Sequence, residues 1–117
     1  MSELYFRMQP FLGDEEKLLQ RMAGRMDLWE ECVLLFPRRE ILDEMEAALQ
    51  AEDEAAFYGA VHRLKGNLAN FGFDSAAEKA MVILRAIKEK NVVERDRYYT
   101  KLREEYAQII ERIGGTE

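Results

Sequence analysis

Asp53-Glu54-Ala55-Ala56-Phe57-Tyr58-Gly59-Ala60-Val61-His62-Arg63-Leu64-Lys65-Gly66-Asn67-Leu68-Ala69-Asn70-Phe71-Gly72 is the stretch whose period decides the fold. At about 100° per residue, Phe57, Ala60, Val61, Leu64, Leu68 and Phe71 fall in one apolar arc roughly 100° wide, the signature of a helix with one buried face. Asp53 is suited to cap its start and Gly72 to stop it. His62, the only histidine of the chain, points about 140° from the centre of that arc, toward solvent. Ala55, Gly59, Gly66 and Ala69 project on its side, so the imidazole stands on a strip of small residues. Each glycine inside a helix costs about 1 kcal/mol relative to alanine. Two of them bracketing one histidine imply that bare backbone is wanted there. Lys65 flanks the histidine on one side, Arg63 and Asn70 on the other. No acidic residue occurs between Ala55 and Phe73, although the chain carries 23. The local field is positive on a protein of formal net charge −6.

The rest of the chain has the same character. Its 117 residues suit one domain, and 48% apolar with 34% charged residues fits a globular protein. A first short helix is expected from Asp14-Glu15-Glu16 to about Ala23, broken by Gly24, after a loose start that ends near Gly13. A second is expected from Asp27 to Phe36, burying Leu28, Cys32 and Leu35, with Trp29 and Val33 on a neighbouring stripe. Pro37 either starts a third helix or kinks a continuous one, and that segment runs to about Ala51 with Ile41, Met45, Ala48 and Leu49 inward. After the helix of His62, Asp74 or Ser75 caps a fifth helix reaching about Lys90, with Ala77, Met81, Leu84 and Ile87 apolar. The sixth runs from about Val93 to Ile113, ended by Gly114-Gly115, on a stripe of Tyr98 or Tyr99, Leu102, Tyr106, Ile109 and Ile113. Short loops make successive helices antiparallel. The expected fold is all-α: an antiparallel up-down-up-down four-helix bundle over residues 37–113, with one or two additional helices in residues 1–36 covering one end, in a single domain 1–117.

Composition narrows the chemistry. The negative balance disfavours nucleic acid or an anionic membrane as partner. Cys32 is the only cysteine, so neither an internal disulfide nor a cysteine–zinc cluster can form. One histidine without Glu-x-x-His pairs does not build a bundle di-metal centre; no metal and no resident cofactor are expected. Asp14-Glu15-Glu16 and Glu44-Met45-Glu46 read as helix-start or exposed charge, and the methionines as core packing. Residues 1–13 lack the basic start and apolar run of a signal peptide, so the expected location is the cytoplasm. Met1 and the Gly-Gly-Thr-Glu ending are expected of a free-standing module. An exposed imidazole is largely neutral and nucleophilic near neutral pH. It can attack a phosphoryl group carried by another protein, and a neighbouring ammonium such as Lys65 offsets charge on the phosphoryl oxygens.

Residues 61–72 resemble the signature of the histidine-containing phosphotransfer (HPt) domain family: histidine, any residue, leucine, lysine, glycine, and a further glycine six residues on. Those positions are His62, Leu64, Lys65, Gly66 and Gly72. The stretch from Leu28 to Phe36 is similar to the family's aromatic and leucine-rich segment, and Asp53 matches the aspartate that opens its phosphoacceptor helix. Two positions depart from the pattern: Ala76 stands where the family commonly has leucine, and Arg85 where it often has glutamate. Both are expected to lie outside the transfer chemistry. The resemblance implies a phosphorelay intermediate without kinase or phosphatase activity of its own, taking a phosphoryl group from the aspartate of one response-regulator receiver domain and passing it to another. A hybrid sensor histidine kinase is an expected partner, and Mg²⁺ is expected on the receiver. His62 is then the phosphoacceptor, Lys65 its charge partner, Gly66 the access point and Gly72 the helix stop. Helical geometry adds Gly59 for access and Arg63, Asn67 and Asn70 as contact or orienting groups. The alternative is a helical adaptor that binds a receiver or sensor kinase without carrying phosphate; it would be expected to lack His62 or Lys65.

Overall fold

The computed structural model describes residues 3–35 and 39–114. Among these residues seven α-helices follow one another: α1 Glu3–Met8, α2 Glu15–Arg21, α3 Met26–Leu34, α4 Arg39–Gln50, α5 Glu54–Asn70, α6 Asp74–Lys88 and α7 Val92–Gly114, with a 3-10 turn at Gln9–Phe11 between α1 and α2. No strand occurs among the described residues. The expected Pro37 start or kink, the Phe36 end of the second helix and Gly115 lie outside the described residues.

Helices α4 to α7 pack in sequence, each against the next. Side-chain contacts tie the neighbours together: Arg63 of α5 meets Glu44 of α4, Lys88 of α6 meets Tyr58 of α5, and Lys79 of α6 meets Glu105 of α7 at 2.6 Å. Tyr99 of α7 closes the ring, its hydroxyl donating to Glu46 of α4 at 2.8 Å. The stripes meet as expected. Phe57, Ala60, Val61, Leu64 and Leu68 are buried along α5, and Tyr99, Leu102, Tyr106, Ile109 and Ile113 along α7, so of the two candidate tyrosines it is Tyr99 that enters the core. Leu49 and Phe71 are only half-buried at its edge.

The ends of the chain depart from expectation. The loose start is helix α1, which makes three helices ahead of α4 instead of one or two. Leu4, Tyr5, Met8 and Phe11 recur at helical spacing and are buried, α1 packing on α7 with Arg112 donating to the Arg7 carbonyl at 3.1 Å. Helix α2 stops at Arg21, because Ala23 and Gly24 both take positive φ, 54° and 75°. Helix α3 is rotated from the expected face: Trp29 and Val33 are fully buried, Leu28 and Cys32 are half-buried, and Leu35 is 85% exposed. The indole explains the turn. Its Nε1 donates to the Phe71 carbonyl at 3.0 Å and its ring meets Tyr5 edge-on at 5.6 Å, which draws the neighbouring stripe inward.

Helix α6 also differs. Neither Asp74 nor Ser75 caps it: the N-cap is Phe73, without a side-chain bond, and Asp74 is the first helical residue, where its charge suits the helix dipole. The helix ends at Lys88, ahead of a positive φ of 58° at Lys90. Its buried residues are Ala76, Ala77, Ala80, Ile83, Leu84, Ala86 and Ile87, whereas Met81 is 56% exposed. Its buried alanines let α6 lie close to its neighbours. The last helix begins one residue early and keeps Gly114 within it.

Candidate functional site

Asp53 caps α5 as its sequence suggests, accepting from the Ala56 amide at 3.0 Å. The far end of α5 is held by three separate groups. Gly72 takes φ +82°, and its carbonyl accepts from the Gly13 amide at 2.9 Å. Arg21 of α2 donates to the carbonyls of Ala69 and Asn70, and Trp29 of α3 donates to that of Phe71. A cation on the last carbonyls satisfies groups the helix itself cannot. Helices α2 and α3 thereby fix the end of the helix that carries His62.

His62 is exposed, with its ring nearly parallel to that of Tyr58 one turn earlier, centroids 6.2 Å apart. A Cβ placed on Gly59 or on Gly66 would meet nothing within 4 Å, so both glycines border open space beside the imidazole. Lys65 lies in the same concavity, half-buried. Arg63 turns away to α4, where it pairs with Glu44, and its Nε donates to the Gly59 carbonyl at 3.3 Å. Asn67 is half-buried and Asn70 exposed. Of the residues expected at the site, His62, Lys65, Gly59 and Gly66 share one surface, while Arg63 braces α5 against α4.

One wall of the site comes from another helix. The concavity of about 320 Å³ beside His62 is lined by Tyr58 and Lys65 of α5 and by Met81, Leu84, Arg85 and Lys88 of α6. Lys88 sits over the Tyr58 ring at 5.8 Å, a cation–π contact. Among the described residues no carboxylate lines this hollow. Arg85, expected outside the transfer chemistry, is therefore at the site; the wheel of a single helix cannot show which residues of its neighbour face it. Ala76, the other departure, is buried against the bundle core. A larger hollow of about 680 Å³ lies over Asp14, Glu15, Glu16 and Gly24, but three carboxylates and no nucleophile suit it poorly to phosphoryl chemistry. No group of three or more His, Cys, Asp and Glu side chains among the described residues is arranged to hold a metal.

His62 thus stands exposed on one helix of an all-α bundle, bordered by open glycines and by cations. The family model for the Hpt domain matches residues 38–112, well over half of the chain and including α4 to α6 entire. The chain belongs to the Hpt domain family, whose members serve histidine phosphotransfer in phosphorelays and interact there with receiver domains and kinases. Neither a curated protein nor a solved structure matches the sequence. No helix among the described residues is long and apolar enough to cross a membrane.

Proposed function

We propose that His62 is the phosphoacceptor of a multistep phosphorelay, loaded from the aspartyl phosphate of a response-regulator receiver and unloaded onto a second receiver. The observation that carries the reading is the placement of the chain's one imidazole: exposed, beside two open glycines, in a hollow lined by Lys65, Arg85 and Lys88 and free of carboxylates among the described residues. A ring nitrogen of His62 attacks phosphorus. The N–P bond forms as the aspartyl O–P bond breaks, and the bonding pair returns to the partner's carboxylate. The proton on the other ring nitrogen stays there or passes to water. Lys65 offsets charge on the phosphoryl oxygens. Gly59 and Gly66 leave room for the partner's active site to close over the ring, Asn67 and Asn70 are offered to the partner further along α5, and Arg63 orients the helix from behind. Gly72 ends the helix.

The partners are then receiver domains and a hybrid sensor kinase, with Mg²⁺ bound on the receiver and no cofactor on this chain. The module is a carrier without kinase or phosphatase activity, acts as one unit over residues 1–117, and works in the cytoplasm. The test is His62→Gln. The variant should melt as the wild type does and accept no phosphoryl group from any phosphorylated receiver; equal labelling of the two proteins would refute the assignment. A receiver that binds the chain but never labels it would favour an adaptor.

A further inference from the structure

Phosphorylation would place nearly two negative charges on an imidazole that, on α5 alone, has a single cation beside it. The register of α5 on α6 supplies more. Tyr58 meets Lys88; His62 lies one turn onward along α5, Leu84 and Arg85 about one turn back along α6, and all of them line the same hollow. Leu84 is buried and anchors that turn of α6. Arg85 is exposed, and no ion pair or hydrogen bond ties up its side chain among the described residues, Glu89 one turn on included. Lys88, by contrast, is engaged over the Tyr58 ring. The hollow has the liquid volume of about ten waters, more than three phosphoryl oxygens need. A guanidinium presents a planar fork that matches two oxygens of a phosphoryl group at once.

We infer that Arg85 is a phosphoryl-binding residue, closing on the phosphate of His62 from the α6 side while Lys65 holds it from α5. The inference rests on His62 being the phosphoacceptor. It gives Arg85 the role of stabilising the phosphorylated product, as distinct from docking the partner. The two roles have different signatures. A residue that only helps the receiver dock changes the forward and reverse transfer rates together and leaves their ratio alone. A residue that binds the phosphoryl group on His62 shifts the equilibrium between phospho-receiver and phosphohistidine.

The experiment is a phosphotransfer titration with one radiolabelled phospho-receiver, run to equilibrium with wild type, Arg85→Ala, Arg85→Lys and Arg85→Glu, alongside the melting curve of each. Arg85→Ala should shift the equilibrium toward phospho-receiver about three- to tenfold, the range of a charge-assisted hydrogen bond at a solvent-exposed site. Arg85→Glu should shift it further, Arg85→Lys should fall between wild type and Arg85→Ala, and melting should not change. An unchanged equilibrium overturns the inference, whether the rates stay the same or change together. Failure of the wild type to take label at all refutes the reading of His62, whereas labelled wild type with an indifferent Arg85 refutes this inference alone.

Discussion

Lys65 and Tyr99 show how differently one charged or polar group acts at the rim and in the wall of the bundle. Lys65 shares the hollow with His62 and no carboxylate pairs with it among the described residues, so its charge is free for a phosphoryl group. Lys65→Ala should slow transfer or shorten the phosphohistidine lifetime, by roughly three- to tenfold at a water-exposed site, with no change in melting; quench-flow labelling and a hydrolysis time course read both effects. Tyr99 instead serves the fold. Burial, and then the hydrogen bond to the Glu46 carboxylate and its charge, push its hydroxyl well above the usual tyrosine range. The folded state therefore keeps a proton that the unfolded chain gives up at about pH 10. That contribution to stability is complete below about pH 10 and is lost as pH rises above it. Urea midpoints measured from about pH 8 to 11 should fall at the alkaline end, and Tyr99→Phe should flatten that fall while lowering stability near neutrality by about 1 kcal/mol. An equally steep fall in the variant would place the alkaline loss elsewhere.

Along α5 the glycines separate stability from function. Gly59 and Gly66 have open space where a Cβ would stand, so nothing in the packing requires either. Gly66→Ala should raise stability by about 0.5–1 kcal/mol through helix propensity alone. Gly66→Leu should melt no lower than wild type and yet block phosphotransfer, because its side chain projects where a docking partner must approach His62. Transfer by Gly66→Leu at the wild-type rate would show the bare strip to be irrelevant. Gly72 is the opposite case. Its φ of +82° and the Leu18 methyls 3.3 Å from where a Cβ would stand make Gly72→Ala destabilising by about 1–2 kcal/mol, visible as a lower urea midpoint. Since Gly72 ends the helix that carries His62, a change there reaches the site through the backbone, and transfer should fall less than with Gly66→Leu.

Across the whole molecule, legibility followed the range of the interactions involved. The buried stripes of α5 and α7, the Asp53 cap and the Gly72 stop were readable because each depends on residues within a few turns of one helix. Helix α1 was not: six residues are too few to hold a helix on their own, and what orders them is α7, with Arg112 reaching the Arg7 carbonyl 105 residues away. The rotation of α3 depends on the Trp29 N–H finding Phe71, and the exposure of Met81 and the approach of Arg85 depend on the register of α5 against α6. Half of the site's wall is therefore tertiary information. The same contacts bear on whether the N-terminal helices and the bundle form one cooperative unit. Trp29, the only tryptophan, is fully buried in α3 and bonded to the end of α5, while most helical residues belong to α4–α7. If the indole and Arg21 couple the two parts tightly, tryptophan fluorescence and far-ultraviolet circular dichroism should give coincident urea transitions with one midpoint. Trp29→Phe keeps an aromatic ring but loses the bond to the Phe71 carbonyl. It should lower the dichroism midpoint by the equivalent of about 1–3 kcal/mol and reduce transfer through His62 by loosening the end of α5. A fluorescence transition at lower urea than the dichroism transition would instead show α1–α3 detaching from a bundle that stands without them.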